Sequence, residues 1–140
     1  MKLRFLITLL VILLASCGQI PKTNPNFEVI AVGNDLKNSV EITLVSKNAH
    51  KICLDVEQWP NKFGQIENGS ALILKLATGQ AFEAKSTNFG FCPGGCGTIQ
   101  IKPYSTLVAR VGYDEFDMVE EITKLNGKSF FYSVSPFFCR

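Results

Sequence analysis

The chain has 140 residues, 46% of them hydrophobic and 19% charged, with a formal net charge of +2. That length suits one domain, able to bury roughly two thirds of its unfolded surface without a metal to hold the core. No run of like charge appears, so nucleic acid has no electrostatic footprint to bind.

Met1-Lys2-Leu3-Arg4 is a basic start, and an apolar run from Phe5 to Ala15 follows, broken only by Thr8. The run is too short to cross a hydrocarbon core of about 30 Å as a helix. It fits the apolar region of a secretion signal, which ends in small residues. Leu14-Ala15-Ser16-Cys17 closes it. This stretch resembles bacterial lipoprotein precursors, in which the Cys of such a box is diacylated on its thiol, freed by cleavage and acylated on its new amino group. The resemblance implies a signal peptide over 1–16, lipidation at Cys17 and contact with a membrane of the cell envelope through that anchor. Two or more acyl chains give stable attachment where one is marginal. In Gram-negative lipoproteins an Asp after the Cys signals inner-membrane retention, so by the same resemblance Gly18 favours the outer membrane.

Cleavage removes Lys2 and Arg4 and leaves 12 basic against 12 acidic residues, a mature chain near neutrality. Residues 17–26 carry Pro21 and Pro25 and no periodic apolar pattern, and read as a lipidated N-terminus and tether. The domain is then 27–140. Within it the hydrophobic period is two. Val40, Ile42 and Leu44 alternate with Glu41 and Thr43; Ile52, Leu54 and Val56 alternate with Cys53 and Asp55. Leu72, Leu74 and Leu76 share a face, Ile99 and Ile101 alternate with polar neighbours, and Leu107, Ala109, Val111 and Tyr113 continue the pattern. Phe130, Tyr132 and Val134 end it. Alternation of this kind marks half-buried strands.

The connections are turn-like. Ser46-Lys47-Asn48-Ala49 is expected to fold two strands into a hairpin, and Ala77-Thr78-Gly79 joins another pair, with Gly79 suited to positive φ. Lys102-Pro103-Tyr104-Ser105 separates Ile101 from Leu107. Tyr113 to Leu125 alone has helical spacing, with Phe116, Val119 and Ile122 three apart and acids early. It reads as one short helix near 114–124 or as an ordered loop. The fold class is all-β, a small antiparallel β-sandwich of about seven strands. Its architecture resembles the immunoglobulin type, although Trp59 stands six residues after Cys53 in a loop rather than on the next strand.

Cys53, Cys92, Cys96 and Cys139 remain after Cys17, and an even number in an exported domain reads as two disulfides with three possible pairings. The favoured pairing is Cys53–Cys139 with Cys92–Cys96. Cys53 points away from the face of Ile52 and Leu54, Cys139 can tie down a fraying terminus, and Pro93-Gly94-Gly95 is a flexible spacer. Cys92-Pro93-Gly94-Gly95-Cys96 also resembles the Cys-Pro-x-x-Cys sequence of Sco-type copper chaperones, which implies a Cu(I) or thiol-redox role as an alternative. Those proteins are α/β and carry their ligand His downstream, whereas His50, the one histidine, lies upstream.

His50 sits in a turn beside Lys51 and reads as solvated, so no Ser or Cys nucleophile gains a marked partner; an envelope hydrolase is the remaining enzyme alternative. Asp114, Glu115 and Asp117 with Glu120 and Glu121 lack the spacing of a calcium loop. Asn68-Gly69-Ser70 reads as a turn. Aromatic residues in loops are candidate partner contacts, chiefly Trp59, Phe89 and Phe91; the competing reading is that they cap the open ends of a sandwich. The expectation is therefore a non-catalytic envelope binding module without cofactor or metal. It would serve as an accessory subunit, inhibitor or immunity-type protein, with an envelope or secreted protein as partner.

Overall fold

The computed structural model describes residues 21, 23–88, 90, 92–118 and 122–140. Among the described residues nine strands run in chain order: β1 Phe27–Asn34, β2 Ser39–Ser46, β3 Ile52–Asp55, β4 Leu72–Leu76, β5 Ala81–Glu83, β6 Thr98–Ile101, β7 Thr106–Gly112, β8 Lys128–Tyr132 and β9 Phe137–Phe138. They form three three-stranded sheets, ordered β1-β2-β7, β6-β3-β9 and β5-β4-β8, with every ladder antiparallel. The domain is all-β and sandwich-like. The number of strands and their division among three sheets depart from a seven-stranded immunoglobulin pattern.

The alternating runs became strands because one side of each is excluded from water. Val40, Ile42 and Leu44 on β2 are fully buried, as are Ile52 and Leu54 on β3, Leu72 and Leu74 on β4 and Val111 on β7. Burial of an aliphatic side chain contributes about 1.5–3 kcal/mol each. Tyr113, Phe116, Ile122, Phe130 and Tyr132 join them in one core. Tyr113 and Phe130 stack with centroids 5.7 Å apart and planes 10° off parallel.

The expected hairpin at residues 46–49 does not form. β2 already has β1 on one side and β7 on the other, so neither of its edges is left for β3. The segment instead carries the chain to the second sheet, where β3 lies between β6 and β9. The β4–β5 hairpin does form, and Gly79 takes φ +90°. Between residues 113 and 124 the described chain holds two separate 3-10 turns, Tyr113–Glu115 and Ile122–Lys124, and no α-helix. Phe116 bridges Ala84 in extended conformation and Glu115 O accepts from Lys85 N at 2.6 Å. Those bonds bind the segment to its neighbour rather than to itself. Val119 lies outside the described residues.

Candidate functional site

The first sheet has one face on the core and one in solvent. On the outer face the register aligns Glu28 with Val45 and Thr106, Ile30 with Thr43 and Val108, and Val32 with Glu41 and Arg110. Ile30, Val32 and Val108 are exposed, Val32 at 57%. Arg110 donates to Glu41 Oε2 from Nε and Nη2 at 3.1 and 3.0 Å, and Lys47 pairs with Glu28 at 2.7 Å. An apolar middle is thus bordered by ion pairs at both ends. Beside Val32, across the notch where β1 meets β8, stands Phe131, 53% exposed. These four residues were not singled out from sequence. The available signal was the segment from Phe27 to Val32, apolar at both strand parities except for Glu28.

β1 and β8 are the edges of neighbouring sheets and approach each other closely at Gly33. A Cβ there would lie 2.6 Å from Phe130 Cε2 and 2.7 Å from the Tyr113 hydroxyl. Asp35 closes this corner. Its Oδ1 accepts from the Tyr113 hydroxyl at 2.8 Å and its Oδ2 from Lys128 Nζ at 2.9 Å. The bond from Lys128, then that from Tyr113, holds the Asp35 carboxyl below the usual carboxylate range. Burial, then the bond to Asp35, pushes the Tyr113 hydroxyl well above its ordinary value. Such a corner fixes two sheets to each other.

The sequence-derived contacts divide. Trp59 is a correction: it is 4% exposed, edge-on to Tyr132 with centroids 5.8 Å apart, and belongs to the core. The Tyr132 hydroxyl donates to Gln58 O at 2.8 Å, which fixes the backbone before the indole. A residue flanked by a 3-10 turn and Pro60 gave no periodic sign of which way it faced. Phe89, Phe91 and Cys17 lie outside the described residues. Phe63, another loop aromatic, is exposed and carries Lys62 Nζ 5.0 Å from its ring centroid.

Two disulfides join Cys53 to Cys139 and Cys92 to Cys96, with Cα separations of 5.1 and 5.2 Å. The first accounts for the burial of Cys53 together with Ile52 and Leu54, since β9 and the bonded tail cover the side those two do not face. The second closes a loop that docks on the 3-10 turn Val56–Gln58. Cys96 N donates to Glu57 Oε1 at 2.9 Å and Val56 N to Gly97 O at 3.1 Å. The Cys96 amide, and then its own, lowers the Glu57 carboxyl. With both sulfurs bonded, the loop presents no thiolate in this state.

His50 is exposed at a bend, edge-on to Phe138 at 6.3 Å. Among the described residues no three His, Cys, Asp or Glu side chains stand close enough to hold a metal. Asn68 caps a 3-10 turn, its Oδ1 accepting from Ser70 N at 3.2 Å and Ser70 Oγ at 2.7 Å. No protein-family model, curated protein or solved structure matches this chain.

Proposed function

We propose that this is a lipid-anchored protein of the bacterial cell envelope whose β-domain is a non-catalytic binding module. Its partner is an envelope or secreted protein, met as an accessory subunit, inhibitor or immunity-type protein would meet it. The observation that carries the reading is the exposed row Ile30 and Val108 with Val32 and Phe131 on a sheet face. Grouped apolar side chains with polar residues at their border mark contact surfaces, whereas scattered ones need no partner. The anchor rests on the box ending in Cys17. A surface along stiff, paired strands also holds its shape before binding, so less ordering opposes association.

The test uses the full chain recovered from detergent-solubilised membranes. Val32→Lys with Val108→Lys alters exposed positions only, so β-type circular dichroism is retained while the partner captured by the parent chain is lost. An unchanged set of captured proteins overturns the binding surface. Cys17→Ser should abolish acyl labelling and membrane partition; a labelled, membrane-bound variant overturns the anchor.

A further inference from the structure

The domain has a second distinctive surface at the end where the tether arrives. Lys47 N donates to Asn26 O at 3.0 Å, and Asn48 grips the same residue with Oδ1 accepting from Asn26 N at 2.8 Å and Nδ2 donating to Asn26 O at 2.6 Å. The β6–β7 turn comes to this end as well, because Tyr104 N donates to Asn48 O at 3.3 Å and Ser46 N to Ser105 O at 2.9 Å. In the second sheet Ile52 stands opposite Ile101 and Phe138, which puts Lys51 and Lys102 next in line at the same end. Pro21 and Pro25 share one depression with Phe137, Phe138 and Arg140.

The charges are sorted by end. Lys47, Lys51, Lys102 and Arg140 are exposed here, against Glu28, which Lys47 pairs. Among the described residues no ion pair engages Lys51, Lys102 or Arg140. The far ends of the same strands and the turns that follow carry Asp35, Asp55, Glu57, Asp114, Glu115 and Asp117, against Lys37, Lys85, Lys124 and Lys128. Tyr104, 71% exposed at φ +50°, projects from the basic end, with Phe137 also exposed there.

We propose that this end is a bilayer-contact surface that seats the domain on anionic phospholipid headgroups. The proposal rests on the lipid anchor at Cys17. Only four Cα steps separate Cys17 from Pro21, so an acylated Cys17 holds that residue within about 15 Å of the anchor point at full extension. That reach is about two screening lengths of about 8 Å at physiological ionic strength, so charges at this end feel the surface field when the linking residues are less than fully extended. Each lysine beside an anionic surface strengthens attachment roughly five-fold. Tyrosine, with an apolar ring and a polar tip, suits the headgroup level. The acidic end lies a strand length further out, beyond the reach of that field, so attraction at the basic end alone orients the domain. The strands of the first sheet then run away from the bilayer and hold its apolar outer face clear of the lipid.

The experiment takes the full-length gene product from membranes and measures acylation by mass first. The acylated protein is then placed in vesicles of phosphatidylcholine alone or mixed with phosphatidylglycerol, and lysine amines are labelled with a water-soluble reagent. Lys51 and Lys102 should label about five-fold more slowly on the anionic vesicles, with high salt restoring the rate and Lys37 and Lys75 unaffected. In Lys51→Gln with Lys102→Gln, protection of Lys47 should be lost while acylation persists; Lys37→Gln with Lys75→Gln should leave it intact. An acylated protein whose Lys51 and Lys102 label equally on both vesicles overturns this proposal alone. So does equal protection of every lysine, or protection conferred only by an added acidic protein. An unacylated product overturns the anchor and this proposal with it.

Discussion

Breaking the Cys53–Cys139 bond should cost far more stability than breaking Cys92–Cys96, although both close with nearly the same Cα separation. The first spans 86 residues of sequence and the second 4. Loop-closure entropy in the unfolded chain gives about 4.6 kcal/mol for the long loop and about 1.9 kcal/mol for the short one. At about 4 °C per kcal/mol for a domain of this size, Cys139→Ser lowers Tm by ~18 °C and Cys96→Ser by ~8 °C. A packing cost should add to the first, because Cys53 is buried and β9 pairs with β3 through Phe137 and Phe138. Cys53→Ala with Cys139→Ala, which leaves no unpaired thiol in the domain, separates that cost from thiol exchange. The assay is thermal unfolding without reductant, with non-reducing peptide mapping of the parent. Equal or reversed Tm losses would refute the reasoning, and so would a mapped peptide joining Cys92 or Cys96 to Cys53 or Cys139.

Trp59→Ala should destabilise by about 3–5 kcal/mol, the scale for emptying an aromatic site in a core; a loss below 1 kcal/mol in urea unfolding with reduced partner capture would return Trp59 to the surface. Asp35 has a lowered folded pKa, so its stabilisation is in place above the unfolded value near ~3.9 and is lost as pH falls through the folded value. Lys128→Gln should move the Asp35 carboxyl titration, followed by carbon NMR, upward; an unmoved curve contradicts the Lys128 contact. Asn48→Ala removes both side-chain bonds to Asn26 and should cost about 1–3 kcal/mol, whereas Asn68→Ala, which loses only an exposed local cap, should cost less. A smaller effect at Asn48 than at Asn68 in urea midpoints contradicts its role in holding the tether end.

What could be read from the residues was what local periodicity encodes. Val40, Ile42 and Leu44 announce a strand wherever that strand ends up, since alternation depends only on one face being dry. Which strand pairs with which is settled by competition for edges. Residues 46–49 look like a hairpin turn, but β7, which begins only at Thr106, takes the side of β2 that β3 would have needed. Of the two readings of 113–124, a short helix or an ordered loop, the described residues follow the loop for a similar reason: Ala84 and Lys85 supply partners that a helix would have had to outcompete. The outer face of β1 was missed because Ile30 and Val32 break the alternation that makes a strand visible. With apolar residues at both parities, periodicity alone cannot tell the outer face from the inner one.

Charge placement was hidden for a different reason. Lys47, Lys51 and Lys102 are scattered along the chain among acids, and residues 17–140 balance to neutrality. Only the pairing of β3 with β6 and the grip of Asn48 on Asn26 bring them to one end. A neutral protein can therefore carry a strong local field, because the potential near a bilayer reflects charges within a screening length and not the total. The same folding step sets Asn26 beside those charges. On the proposed reading, anchor, basic end and apolar face form an ordered series along the strands: the first would fix the chain to the bilayer, the second would set which end points down, and the third would face outward where a partner can reach it.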